Sequence, residues 1–333
     1  MSDSLSAASS LASLCLEKAL GAHVTSVHFV GDHAAATLGD GRVGFMSPDG
    51  SVTQVTVHAG AILCACSASG GAALLTGGDD GQVCLVTPAG VQVLERQGKW
   101  VDAVAARDGA VAYAFGKTVT IRTAGGERRI PMPSTVGGIA STKSGFAVAH
   151  RGGATLLEVA DGEDIKSLHA DGGHVAIAAS PNGRFIVTAT LDHSLCCWRV
   201  ADDVAVHMRG YLAKPLSLSW TRRGGFIATS GYRRLVMWPM AGKGPDGKHA
   251  DTLAPRPSLV TAVACHPSID LVAVGYADGC IVFARQAVQI ILPVRAADGE
   301  EVTSLAFDRK GGLLTFGTAG GAFGLLDMRG VLR

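Results

Sequence analysis

Short apolar runs return along the chain in a fixed order. An inner segment of the form Val-x-x-Val-x-Phe is followed by a turn, a second run of small apolar residues, a Gly/Asp turn and a third run. The second apolar anchor of each copy is Val27, Ala65, Val104, Ile139, Ile177, Leu218, Val263 or Leu305, at intervals of 38, 39, 35, 38, 41, 45 and 42 residues. Alternating or continuous β-branched runs of this length, cut by Pro-Asn-Gly and Asp-type turns, predict antiparallel strands. Return at that period marks a repeat architecture in which each unit buries its faces against its neighbours.

Copy five shows the pattern best. Ser180-Pro181-Asn182-Gly183 separates the inner run from FIVTAT (185–190), and SLCCWRV ends the unit near Trp198. VAVHM (204–208) supplies an outer run, so each unit is expected to be a four-stranded antiparallel sheet. Eight copies predict an all-β ring of eight blades, with seven as the alternative. The expected organisation is a single domain over 1–333, with repeats from about 22 to 328.

Too few residues follow Met328 for a good outer strand in the last copy, so 13–20 is expected to provide it. That would close the ring and remove its open edges. A short amphipathic helix over 11–20 is the competing reading, since Leu11, Leu14 and Lys18 also fit a helical period. The Gly/Pro/Asp/Lys-rich stretch 240–252 predicts an exposed, mobile loop.

Composition changes this picture little. Hydrophobic residues make up 47% and charged residues 17% of the 333, enough for a large core. Gly 44 against Pro 12 fits a turn-rich fold, and the Ala/Gly/Val-heavy, Lys-poor usage fits a bacterial source. The formal net charge of +1 argues against a dedicated nucleic-acid binder. The N-terminus has Asp3 and no early Lys or Arg, and no apolar run reaches membrane-spanning length, so a cytoplasmic location with no membrane partner is expected. Cys15, Cys64, Cys66, Cys84, Cys196, Cys197, Cys265 and Cys280 are then expected to be reduced and mostly packed inside.

Copy five has Gly173-His174, then Ser-Pro-Asn-Gly, then Thr188-Ala189-Thr190 with Asp192, then Trp198 closing the third strand. This resembles the WD-repeat (WD40) family, whose fold is a β-propeller with seven blades as the commoner number. The resemblance implies a hydrogen-bonded set within the blade, His174, Thr188, Asp192 and Trp198. The other copies depart from it. Copy two keeps His58, Thr76 and Asp80 but has Val86 near the Trp position, and copy one keeps His23, Thr37 and Asp40 with Phe45. Copy six keeps Thr229 and Trp238 with Arg233 or Arg234 in place of the acid. Copy seven keeps Asp278 and Phe283, copy eight has Thr315, and copies three and four keep only the strand rhythm.

Catalytic and metal signatures are missing from the sequence. There is no Cys-x-x-Cys pair and no Gly-x-Ser-x-Gly elbow, and the Gly-rich stretches lie between β-runs, where no helix N-terminus would hold a phosphate. Asp79-Asp80 and Glu300-Glu301 are adjacent acids in turns, expected to be solvated. The expectation is therefore a non-enzyme with no cofactor and no metal. In WD-repeat proteins one rim, made by the turns from outer to next inner strand and from second to third strand, usually binds partners. The resemblance puts Lys99, Trp100, Lys117, Arg151, His193, Tyr211, Lys214, Tyr232, Arg233, Arg234, Arg256 and Glu301 on that rim, mostly cationic or aromatic. It implies a protein-interaction scaffold for another protein or an acidic peptide. The alternatives are a propeller enzyme with a central-channel metal, for which only His28, Asp102 and the thiols are polar enough, or a nucleic-acid-associated subunit using the basic rim. The oligomeric state is not legible.

Overall fold

The computed structural model describes residues 11, 13–159 and 165–330. Repeat one shows how a unit is built. Strands Val24–Val30, His33–Leu38, Arg42–Met46 and Val52–Thr56 pair in sequence order, all antiparallel. Its second strand is almost wholly buried, whereas its outer strand is largely exposed, so burial falls from the middle of a unit to its edge. Small side chains such as Ala34, Ala35 and Ala36 let neighbouring sheets approach face to face.

The inner strands follow one another around an axis: Val24–Val30, Ile62–Ala68, Ala103–Arg107, Val136–Ser141, the 174–179 half of Ile165–Ala179, Leu218–Trp220, Val260–Cys265 and Val302–Phe307. Adjacent inner strands share no ladder, so side chains bridge them. Ser217 Oγ accepts from the Val263 N–H at 2.9 Å, Ser219 Oγ from the Cys265 N–H at 2.8 Å, and Thr261 Oγ1 donates to the Val302 carbonyl at 2.6 Å. Ser304 Oγ accepts from the Val27 N–H at 3.1 Å, which joins the last repeat to the first. These bonds satisfy backbone groups that would otherwise be stranded between blades.

The fold is an all-β propeller of seven hydrogen-bonded blades, which corrects the expected eight. Six blades have four strands each. The seventh is a six-stranded sheet that carries repeats four and five, in the order Val136–Ser141, Gly145–Glu158, Ile165–Ala179, Phe185–Thr190, Leu195–Arg199, Val204–Met208. Gly145–Glu158 doubles back at Arg151-Gly152-Gly153, as His150 Nε2 bonded to Thr155 Oγ1 at 2.8 Å shows. Arg151 pairs with Gly173 across the turn, extending the ladder from one repeat into the next. Glycine permits this. A Cβ at Gly153 would lie 1.9 Å from the Leu168 carbonyl oxygen, so only a bare backbone can approach so closely.

The ring closes through the N-terminal segment. Cys15–Ala19 pairs antiparallel with Ala322–Asp327, from Cys15 opposite Leu326 to Ala19 opposite Ala322. A strand, not a helix, therefore occupies 15–19. Arg295 of repeat seven reinforces the closure by donating to both carboxylate oxygens of Glu17 at 3.0 Å and to Asp298 at 2.5 Å, with its guanidinium 5.5 Å from the Phe316 ring centre.

The stretch at 240–250 is less free than its composition predicts. Met240, Gly244 and Pro245 are buried, Arg184 donates to the Gly242 carbonyl, and Gly244 sits against Phe185, where a Cβ would meet Cε1 at 2.8 Å. Its tip is exposed, but its base is docked on repeat five.

Candidate interaction surface

Buried hydrogen-bond sets hold the rim turns of the propeller. In repeat two, His58 bonds Asp80 through Nδ1 and Thr76 Oγ1 through Nε2, both at 2.9 Å. Asp80 also accepts from the N–H groups of Ala59 at 3.0 Å and Gln82 at 3.1 Å. Desolvation pushes its carboxyl up, but the bonds from Ala59, His58 and Gln82 outweigh it and bring Asp80 down to about 2.

Repeat five distributes its bonds differently from the set the family resemblance implies. His174 Nδ1 bonds Thr188 Oγ1 at 2.7 Å, but its Nε2 faces the Ala170 carbonyl at 3.2 Å. Trp198 Nε1 donates to the His169 carbonyl at 3.2 Å, and its ring centre lies 5.3 Å from that of His174. Asp192 stays in its own turn, accepting from Thr190 and from Ser194 at 2.9 Å. Sequence reasoning missed the equivalent set in repeat six. There Tyr211 stands in for the imidazole: its hydroxyl bonds Thr229 Oγ1 at 2.7 Å and accepts from Trp238 Nε1 at 2.8 Å. A Tyr ahead of a Thr/Trp pair was the available signal. Tyr211 is thus half-buried structure, not a free rim aromatic.

Antiparallel connectivity places the outer-to-inner and second-to-third turns at one end of the ring. The Lys99–Trp100, Lys214 and Arg256 loops are of the first kind; the Lys117, Arg151, His193 and Tyr232–Arg234 turns are of the second. Backbone bonds join the two kinds, such as Arg256 N–H to the Arg233 carbonyl at 3.0 Å, Val260 N–H to Tyr232 at 2.8 Å and Met132 N–H to Lys117 at 2.8 Å. Asp102 accepts from the Gly116 N–H at 2.5 Å, and burial raises its carboxyl pKa; its bond is a loop clamp.

Trp100 is 68% exposed. Lys99, Lys117, Arg151, His193, Lys214, Arg233 and Arg234 are exposed, and none has a side-chain hydrogen bond or ion pair with a described residue. Arg256 differs: it pairs with Asp278 at 2.9 Å and lies 5.3 Å from the Tyr276 ring centre. Three exposed leucines that the sequence reading passed over share this rim: Leu191 in the repeat-five turn, and Leu212 and Leu216 on either side of Lys214. Elsewhere on the rim several acids already have partners, Asp40 with Arg42, Asp80 with His58 and Asp298 with Arg295. Unpaired cations therefore concentrate in repeats three to six, while Glu300 and Glu301 stand exposed in the opposite arc.

The central channel includes a cavity of 670 Å³ lined in part by His28, Ser217, Ser219, Ser304 and Arg309. His28 bonds Ser26 Oγ at 2.8 Å, and burial lowers its pKa to about 4. Among the described residues no three of His, Cys, Asp and Glu gather as metal ligands, and no helix is long and apolar enough to cross a membrane. None of the eight cysteines is in a disulfide; Cys84, Cys196, Cys197 and Cys280 are buried and the other four half-buried.

The sequence model of the WD domain, G-beta repeat, matches residues 49–86 and 162–199. The first segment contains the His58–Thr76–Asp80 set, and the second ends just after Trp198. The model of the anaphase-promoting complex subunit 4 WD40 domain matches residues 263–330. No curated protein matches the chain. Among solved structures, the crystal structure of the computationally designed Ika8 protein is similar, with a TM-score of 0.76 and 17% identity over 93% of this chain and 98% of that one.

Proposed function

Because the chain belongs to the WD40-repeat family, we propose that it is a non-catalytic cytoplasmic scaffold that binds another protein through the rim of repeats three to six. The observation that carries this reading is Trp100, 68% exposed on a turn braced by the propeller, among cations that no described residue neutralises. A protruding indole on a rigid support loses little conformational freedom on binding and covers a large apolar area. Leu191, Leu212 and Leu216 extend the apolar contact, and Lys99, Lys117, Arg151, Lys214, Arg233 and Arg234 favour an acidic border on the partner. Fixed backbone bonds keep these turns in place, so docking orders little of the scaffold. The match at 263–330 to a domain named for a complex subunit agrees with a role in an assembly.

The test is affinity capture from the native cell with the wild-type chain, one triple variant and one double variant. Trp100→Ala with Arg233→Ala and Arg234→Ala removes the rim anchors, while Arg222→Ala with Arg223→Ala alters the opposite rim. Loss of the same captured protein from the first variant alone supports the reading. Equal recovery by wild type and the first variant would rule it out.

A further inference from the structure

The other end of the ring, formed by the turns from inner to second strand, carries a polar cavity of 270 Å³ that the partner rim does not involve. It lies among the turns of repeats two, three and four, with Arg309 of repeat eight reaching in from across the channel mouth. The Arg309 guanidinium lies against Gly71, where a Cβ would be 3.3 Å from Cζ. Arg107 donates through Nη2 to the Lys143 carbonyl at 2.8 Å. Its Nη1 is buried and has no hydrogen-bond partner among the described residues. A buried guanidinium N–H without an acceptor is costly and usually marks a site for a ligand or water.

Neither arginine forms a salt bridge with a described carboxylate, although Asp108 also borders the cavity. The remaining walls come from Ser67, Ser141, Thr142 and the turn Ser69-Gly70-Gly71. All three turn residues have positive φ, at 50°, 66° and 91°. Without a Cβ, Gly71 lets the guanidinium pack directly on the backbone.

We propose that this cavity is an oxyanion site for a phosphate group, free or as a monoester, held between Arg107 and Arg309. Two guanidinium groups match the two negative charges of a phosphate, and each presents parallel N–H donors that suit its oxygens. Hydroxyls around the wall supply further donors. The cavity is wider than a bare phosphate, which leaves room for the ester's first carbon atoms. The site is independent of the partner rim, so either proposal can fail without the other.

The experiment titrates the full chain with inorganic phosphate, and separately with a short phosphoserine peptide, at constant ionic strength in chloride. Binding is read by calorimetry and by the shift in melting temperature. Saturable binding is expected with at least one of them, with the stronger arm identifying the source, and acetate should give none. Arg309→Gln should weaken it at least tenfold without altering the unliganded melting temperature, because Arg309 holds no described protein acceptor. Arg107→Gln should also weaken it, and Arg223→Gln, in the inner-to-second turn of repeat six and outside this cavity, should leave it unchanged. Absence of binding in both arms, equal binding of acetate, or undiminished binding in Arg309→Gln would overturn the proposal.

Discussion

Asp80 links the rim to stability through pH. Its carboxyl is depressed from its ordinary 3.8 to about 2 in the folded protein. A depressed acid stabilises the native state above its unfolded pKa, and that contribution disappears as pH falls through the folded value. Asp80→Asn is therefore expected to cost about 1–3 kcal/mol at neutral pH, with the gap to wild type narrowing between about pH 4 and pH 2. Melting curves across that range check it; a pH-independent gap would contradict the account. Gly81, next in the turn, has φ +74°, and a Cβ there would lie 1.9 Å from the Gln97 carbonyl oxygen. Gly81→Ala should destabilise by roughly 1–3 kcal/mol. Thiol labelling gives a third measure. Burial raises Cys84 to about 11 and Cys196 and Cys197 to about 12, so the native protein at pH 8 should react far more slowly than the unfolded chain. The polar set of repeat two was legible because its residue types kept the family spacing. Repeat six was legible only in part: Thr229 and Trp238 kept the spacing, but the imidazole is replaced by the phenol of Tyr211, which satisfies the same Thr and Trp.

Strands were the most legible elements, since short β-branched apolar runs between turns, such as VTSVHF and VTAVAC, read as strands and keep their apolar anchors Val24, Val27, Val260 and Val263 buried. Closure by the N-terminal strand was legible from a deficit: the last copy lacked an outer partner. Deleting residues 1–20 should lower the melting temperature by about 10 °C or more, since Ala322–Asp327 would lose its ladder partner and Arg295 would lose Glu17. An unchanged melting temperature would contradict the closure. The fused sheet was not legible. Copies four and five carry the same strand rhythm as the others, and whether Arg151 pairs with Gly173 depends on how closely two glycine-lined turns approach. Likewise, Gly and Pro between 240 and 250 announced a loop, but its docking on Phe185 arises from a long-range contact.

For the whole molecule, the ring converts local repeats into two faces with different chemistry. One presents Trp100, leucines and unpaired cations; the other has a polar cavity between Arg107 and Arg309. The repeat period made the ring legible and the turn order assigned loops to faces, but the exposure of Leu191, Leu212 and Leu216 depended on side-chain packing. In the proposed function, the first face holds the partner. The most direct test places a photo-crosslinking amino acid at Trp100 or, as control, at Arg222 on the opposite rim, and irradiates the native cell. A discrete adduct from position 100 and none from position 222 is expected. An adduct from position 222 alone would contradict the claim.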